Sequence, residues 1–217
     1  MDYKAARHMM VEAQLRTNRV INPALIEALE SVPREIFVPK QMAGGAYIDG
    51  PVPVGNGRSL MEPMVFGRLA QIAEIKPTDV VLDVGCATGY SSAILARLAS
   101  TVVALESDAE LAGRASAALT SLGADNVAVV TGPLPEGDAA HGPYDVIMIQ
   151  GQVPSLPNSL LNQLAEGGRL LAVLDQGAGP GRATLYTRLG GTISHRIVFD
   201  ATACRLPGFV AAPVFSL

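Results

Sequence analysis

The sequence lacks several features that mark specialised classes of protein. Its 217 residues include only two cysteines, Cys86 and Cys204. Two are too few for a disulfide framework and they form no Cys-x-x-Cys pair, so we expect both to be free thiols. Basic residues are not in excess, because 16 Lys and Arg stand against 20 Asp and Glu for a net charge of -4. That sign argues against nucleic acid as a partner.

Long apolar runs, targeting signals and metal motifs are also missing. The longest apolar stretches, such as residues 170–174, fall far short of the roughly 20 residues that cross a bilayer. The N-terminus has no basic start followed by an apolar segment. We therefore expect a cytoplasmic protein that has no membrane partner. The three histidines are scattered through the chain, so we also expect no metal site.

What the sequence does contain is enough apolar surface for one substantial core. Hydrophobic residues make up 49% of the chain and charged residues 17%, and we predict a single domain over residues 1–217. Within residues 1–75 we expect helices, one of them starting at Pro23 behind an Asn22 cap. Residues 44–57 are too rich in glycine and proline for regular structure and read as a functional loop. A helix is predicted from Pro63 to about Glu74.

From residue 76 to 175 the pattern changes to strands that alternate with helices. Residues 80–84 are an apolar run with one acid, which is typical of a strand buried on both faces. Such alternation predicts right-handed crossovers and a three-layer α/β fold with a doubly wound, mostly parallel sheet. The last segment, residues 176–217, is expected to add an antiparallel strand pair. The other predicted strands are 101–106, 126–131, 144–149, 169–174, 183–189 and 192–199, and the helices are 91–98, 109–121 and 157–165.

The turn after the first of these strands carries the chemistry. Gly85 and Gly89 would let the backbone approach a ligand, and Glu106 ends the next strand about 20 residues on, where a carboxylate can bind both hydroxyls of a ribose. Ala87 stands where a dinucleotide site needs a glycine, which makes a poor phosphate cradle. A negative Asp83 would repel a pyrophosphate but suits a cofactor with ammonium and sulfonium groups. These residues predict S-adenosylmethionine.

Several segments resemble the protein-L-isoaspartate O-methyltransferases, a family of class I S-adenosylmethionine-dependent methyltransferases. The segments that carry the resemblance follow the family's order: residues 10–15, 32–34 with 37–39, 53–57, 83–91, 143–147 and 164–170. The resemblance implies a Rossmann-like fold and methylation of isoaspartyl carboxylates in damaged proteins or peptides. It also implies cofactor contacts from Asp83, Gly85, Cys86, Ala87, Gly89, Tyr90, Glu106, Ser107, Pro133 and Leu134.

The chain departs from the family in its active-site loop. The family's loop usually reads Gln-Thr-Ile-Ser-x-Pro, with the serine beside the reacting carboxylate. Residues 58–63 read Arg-Ser-Leu-Met-Glu-Pro, so Met61 takes the place of the serine. The substrate carboxylate is already ionised at pH 7, so its attack on the methyl group of the cofactor needs alignment rather than a general base. Arg58 and Ser59 are our candidate catalytic residues. The alternative is that Ser59 caps the helix near Pro63 and that Arg58 is a solvated charge.

Three other functions stay open on the sequence alone. Met61, and Pro133 in place of an acid that would bind the adenine, favour a degenerate member that binds the cofactor without turnover. A methyltransferase for another carboxylate is the second possibility. A nicotinamide oxidoreductase is the third, and the Gly-x-x-x-Gly spacing disfavours it.

Overall fold

A computed structural model describes residues 1–175 and 177–210. The chain begins with helix α1 (Tyr3–Met10), which continues through a π turn (Val11–Leu15) and a 3₁₀ turn (Arg16–Asn18). Helix α2 (Pro23–Ser31) starts as predicted, because the Asn22 side chain accepts a hydrogen bond from the Leu25 amide. Two 3₁₀ helices follow, Arg34–Phe37 and Lys40–Gly45.

Residues 44–57 are more regular than the sequence predicts. They contain strand β1 (Val52–Gly55), which pairs antiparallel with β2 (Arg58–Leu60). The connecting turn is possible because Asn56 and Gly57 have positive φ values of 50° and 71°. Ser59 lies in β2 and does not cap the next helix, α3 (Pro63–Ala73), whose N-cap is Glu62. The capping interpretation of Ser59 is therefore wrong.

A seven-stranded sheet forms the centre of the molecule, in the order β5-β4-β3-β6-β7-β8-β9. The first five strands in that order are parallel, and β8 and β9 are antiparallel to their neighbours. The doubly wound, mostly parallel sheet and its antiparallel C-terminal pair are thus confirmed. The strands are β3 (Val80–Val84), β4 (Thr101–Glu106), β5 (Val127–Thr131), β6 (Tyr144–Val153), β7 (Leu164–Leu174), β8 (Gly181–Leu189) and β9 (Thr192–Ala201).

The crossover helices are α4 (Tyr90–Leu95), α5 (Ala109–Ser121) and α6 (Asn158–Leu161). Helix α5 and its Asp108 cap are where the sequence predicts them. The helix predicted over residues 157–165 is too long, since only four of those residues are α-helical. Leu164 instead pairs with Tyr144 at the start of β7, so pairing with the sheet overrides the local helical pattern.

The site of interest lies at the carboxyl edge of the sheet. Chain connections leave β3 and β6 in opposite directions, which makes their ends the topological switch point where such folds bind ligands. The N-terminal elements are fastened to this edge: the Thr88 hydroxyl donates to the Phe37 carbonyl at 2.6 Å, and Arg114 donates to the Val54 carbonyl at 2.7 Å. The loop carrying β1 and β2 is thereby held over the turn that follows β3, residues 85–89, which we call the cofactor turn.

Within residues 1–175 and 177–210, every helix is too short or too polar to cross a membrane. The predicted third segment, residues 176–217, includes residue 176 and residues 211–217, which lie outside the described residues. The division of one domain into three segments therefore stays a prediction.

Candidate active site

The turn after β3 has the backbone that its glycines were expected to provide. Gly85 and Gly89 have φ values of 78° and 93°. A Cβ on Gly89 would lie 3.1 Å from the Cβ of Ala115, so no side chain fits between this turn and α5. Ala87 adopts a φ of 52°, a conformation that favours glycine. Its amide donates to Glu106 Oε2 at 2.8 Å, which stabilises the turn in that conformation.

Glu106 ends β4 with a fully buried carboxylate that the chain's own donors already surround. Arg58 Nη1 lies 2.6 Å from Oε1, and Arg58 Nη2 donates to the Gly85 carbonyl at 2.8 Å. Oε1 also accepts hydrogen bonds from the amides of Ser107 and Asp108. The interpretation of Arg58 as a solvated charge is therefore wrong, because its side chain is only 5% exposed and contacts the cofactor turn.

Asp83 faces inward, behind the cofactor turn. Its Oδ2 accepts hydrogen bonds from the hydroxyls of Ser91 and Ser92, both at 2.6 Å, and its Oδ1 accepts one from Gln150 at 2.7 Å. Burial raises its pKa to about 6, because desolvation disfavours the carboxylate more than the three hydrogen bonds favour it; the charge on Glu106 raises the pKa further. Asp83 thus does not line the cavity described below, but it binds two residues that do, Ser91 and Gln150.

The raised pKa of Asp83 predicts an unusual pH dependence of stability. Between about pH 4 and pH 6 the folded state binds a proton that the unfolded state has lost, so stability falls as the pH rises through this window. The pKa difference corresponds to roughly 3 kcal/mol. We expect urea unfolding of Asp83→Asn at a series of pH values to lack this decrease.

A matched control for that experiment is Asp108→Asn. Asp108 is a half-buried helix cap whose pKa the Leu111 amide and the Asn56 side chain lower, so its titration acts below pH 4 and in the opposite direction. Asp108→Asn should therefore leave the decrease between pH 4 and pH 6 in place. A decrease that persists in Asp83→Asn would assign it to another group.

A small cavity of about 10 Å³ separates the cofactor turn from the loop that carries β2. Its volume is that of about one water molecule. The sequence assigned six of its lining residues to the site: Ser59, Gly85, Cys86, Ala87, Tyr90 and Met61 as the departure from the family. Sequence reasoning missed the others, which include Arg34, Leu60, Phe66, Ser91 and Gln150. Gln150 could have been found from the sequence, since it directly follows the predicted strand 144–149 at the carboxyl edge, beside the switch point.

A larger pocket of about 390 Å³ opens beside Glu106. Its walls include Ser107, Pro133 and Leu134, which the resemblance had assigned to the cofactor, and two residues of the C-terminal segment, Pro207 and Gly208. Short and mostly apolar residues form these walls, three of them prolines. The structure thus groups the expected contacts after β4 and β5 into one pocket.

The C-terminal segment (residues 202–210) crosses the carboxyl edge of the sheet. The Gln152 amide donates to the Cys204 carbonyl at 2.9 Å, and the Leu206 amide donates to the Gln152 carbonyl at 3.0 Å. These bonds place Leu206 against Gly85, where a Cβ would meet its side chain at 3.1 Å. Leu206 and Arg58 together fill the space directly above the cofactor turn.

Two further groups can be assigned from their surroundings. Cys86 is fully buried, and this burial, with the charge on Asp83, raises the pKa of its thiol well above the ordinary value. It is therefore a packing residue rather than a nucleophile.

His8, Glu12 and Glu30 have ligand atoms within 4.8 Å of one another on the surface. Glu12 already pairs with Arg16 at 2.7 Å, so this group is an exposed ion-pair cluster.

The fold and the site together define the class of protein. A doubly wound sheet, a glycine turn at its switch point and a buried acid at the end of the adjacent strand are the features of a class I methyltransferase fold.

Comparison with known proteins gives the family. Residues 5–200 match the protein-L-isoaspartate(D-aspartate) O-methyltransferase (PCMT) family, and the chain belongs to it. A protein-L-isoaspartate O-methyltransferase of Koribacter versatilis is 40% identical over 165 residues, 76% of this chain and 74% of that protein. One from Synechococcus sp. is 38% identical over 169 residues, 78% of this chain and 69% of that protein.

A solved structure supports the same fold. It is described as a protein-L-isoaspartate O-methyltransferase from Plasmodium falciparum in complex with S-adenosyl-L-homocysteine, and it superposes with a TM-score of 0.79 at 19% identity. The superposition covers 96% of this chain and 99% of that one.

Proposed function

We propose that the protein transfers a methyl group from S-adenosylmethionine to the free carboxylate of L-isoaspartyl residues in proteins or peptides. The observation that carries the proposal is Glu106, a fully buried carboxylate at the end of β4 that touches the glycine turn, in a chain of this family. A carboxylate in this position binds the two hydroxyls of an adenosine ribose.

The residues present fit the cofactor. Glu106 offers the acceptor for the ribose, the glycine turn allows close approach, and the 390 Å³ pocket beside Ser107 and Leu134 suits the adenine. The side chains of Arg58 and Leu206 must move aside, because both contact Gly85 above the turn. When it is bound, the cofactor supplies a methyl group activated by its sulfonium.

The chain's own residues have to position the reactants and exclude water. The substrate carboxylate is ionised at pH 7, so none of these residues has to remove a proton. Alignment of two bound reactants contributes roughly 7–11 kcal/mol to such a reaction. Met61 is buried and apolar, and both Met61 and Ser59 line the cavity. A hydroxyl there can hold the carboxylate in place of the family's serine.

The loop that carries β1 and β2 should respond to both ligands. With S-adenosylhomocysteine alone, Glu106 would hold the ribose in place of Arg58, and the loop would lose that anchor. With an isoaspartyl peptide as well, the loop must close over the carboxylate. We therefore expect amides of residues 44–62 to exchange most slowly when both ligands are present. Equal protection with and without the two ligands would argue against a closing site.

Methyl transfer from labelled cofactor to an isoaspartyl peptide, beside the same peptide with a normal aspartyl residue, tests the proposal directly. We expect slow transfer to the first peptide and none to the second.

The Arg58–Glu106 pair and Met61 favour a second function, cofactor binding without turnover. Binding of S-adenosylhomocysteine without transfer to either peptide would support that alternative and contradict our proposal.

A further inference from the structure

Arg34 is the largest side chain that is completely buried in the described part of the chain. It begins the 3₁₀ helix Arg34–Phe37, below the loop that carries β2. Its Nε donates to the Ala46 carbonyl at 2.7 Å and its Nη2 to the Met61 carbonyl at 2.8 Å. The guanidinium carbon lies 4.5 Å from the centroid of the Tyr90 ring. These contacts fix the orientation of the guanidinium but contribute no negative charge.

Three carboxylates near the site are engaged elsewhere. Glu35, the next residue, binds Arg7 and the Tyr47 hydroxyl. Asp83 is held by two serines and Gln150, and Glu106 is held by Arg58. No ion pair of residues 1–175 and 177–210 includes Arg34. Buried charges in proteins normally have a counter-ion, because an unpaired one costs several kcal/mol.

Two buried polar atoms beside this charge have no hydrogen-bond partner. They are Arg34 Nη1 and the Tyr90 hydroxyl oxygen. Burial raises the pKa of the Tyr90 hydroxyl, and the charge on Arg34 opposes that rise because the two side chains are close, yet neither of these atoms makes a hydrogen bond of good geometry. Arg34 and Tyr90 both line the small cavity, together with Ser59 and Met61. The wall of the cavity therefore includes one fixed cation, Arg34, with an unsatisfied Nη1, and beside it the unsatisfied hydroxyl of Tyr90.

We propose that Arg34, with the Tyr90 hydroxyl beside it, binds the carboxylate of the isoaspartyl substrate. This inference rests on the proposed function, and it adds the residue that recognises the reacting group. The guanidinium is anchored to the carbonyl of Met61, the residue that stands where the family has its serine. The substrate carboxylate would thus be held by charge at the position where relatives use a hydroxyl.

The cofactor's own carboxylate is the other anion that could meet Arg34. That group belongs to an amino acid whose ammonium cancels its charge, whereas the isoaspartyl carboxylate is a net anion. A buried cation without a counter-ion favours the net anion. The acids Asp83 and Glu106 lie on the side of the cofactor turn, and Arg34 bonds to the loop on the opposite wall of the cavity.

A comparison of two peptides tests the inference by binding alone. One carries an isoaspartyl residue and the other its uncharged carboxamide counterpart, and both are titrated calorimetrically in the presence of S-adenosylhomocysteine. We expect the native protein to bind the carboxylate peptide about tenfold more tightly, as a charge-assisted hydrogen bond predicts. In Arg34→Gln this preference should fall to within about twofold, while the Kd of S-adenosylhomocysteine stays within about threefold.

Two further variants control for structural effects. Arg188→Gln also removes a cation that donates to a backbone carbonyl, that of Leu164, but outside the cavity, and it should leave the preference unchanged. Tyr90→Phe removes only a hydroxyl that has no partner, so it should fold normally and reduce the preference by about threefold. If Arg34→Gln does not fold, Tyr90→Phe decides: a reduced preference supports the inference and an unchanged one contradicts it.

The remaining outcomes separate this inference from the function on which it rests. A folded Arg34→Gln that keeps the preference overturns the role of Arg34, even if the native protein methylates isoaspartyl peptides. Weakened S-adenosylhomocysteine binding with an intact preference also overturns it, and assigns Arg34 to the cofactor's carboxylate. A native protein that binds S-adenosylhomocysteine but neither peptide overturns the proposed function and this inference together.

Discussion

Glu106→Ala is expected to weaken binding of S-adenosylhomocysteine by ten- to a hundred-fold, because the ribose hydroxyls lose a charged acceptor worth about 1.5–3 kcal/mol. Its carboxylate is fully buried and contacts the glycine turn through the Ala87 amide. Isothermal titration calorimetry would measure the change, with thermal unfolding to verify that the variant is folded. Unchanged affinity in a folded Glu106→Ala would place the ribose elsewhere.

Arg58→Met provides the matched control with the opposite sign. In the native protein Arg58 lies 2.6 Å from Glu106, so the ribose has to displace a buried ion pair before it binds. Removing Arg58 removes that competition, and S-adenosylhomocysteine should bind more tightly to Arg58→Met than to the native protein. Opposite shifts from the two partners of one ion pair could not come from a general loss of stability.

Met61→Ser is expected to raise the rate of methyl transfer to an isoaspartyl peptide by up to about a hundred-fold, the worth of one hydrogen bond to a charged group. The contact that fixes Met61 uses its backbone carbonyl, which accepts from Arg34, so the substitution leaves the loop anchored. The new hydroxyl would lie in the wall of the cavity beside Ser59. A steady-state assay with labelled cofactor measures the change, and cofactor affinity should barely move.

Ser59→Ala tests whether the Ser59 hydroxyl holds the substrate carboxylate or the cavity serves another substrate. If Ser59 has replaced the family's serine, its loss should reduce the rate of the native protein markedly and that of Met61→Ser less. If the cavity serves another substrate, Met61→Ser would leave a void. The rate on isoaspartyl peptide would then remain at background in the native protein and in both variants, and we would abandon the isoaspartyl assignment.

Much of the cofactor side could be predicted from short segments of sequence. The apolar run of β3, the glycines of the turn and the acid that ends β4 lie within about 25 consecutive residues, and the strand-turn-helix-strand unit fixes their relative positions. For the same reason the doubly wound topology could be predicted. Short-range pattern was insufficient where pairing with another strand decides the conformation, as at the end of α6 and in β1.

The substrate side could not be predicted in this way, because its residues are distant in the chain. Arg34 and Met61 are 27 positions apart and meet through a single hydrogen bond. Arg58 and Glu106 are 48 positions apart, and nothing in the sequence of either segment pairs them. The C-terminal segment joins the site through its bonds to Gln152 in β6, which no local pattern in that segment predicts.

The sequence by itself thus determined the class of fold, the family and the cofactor turn, since local hydrophobic period and glycine placement are sufficient for a βαβ unit. Only the tertiary structure decided the state of the two buried cations. Arg58 neutralises Glu106, whereas Arg34 has no counter-ion in the described residues. Charge compensation depends on distances of a few ångströms between segments remote in sequence, and those distances exist only once the loop, the sheet and the N-terminal helices have packed together.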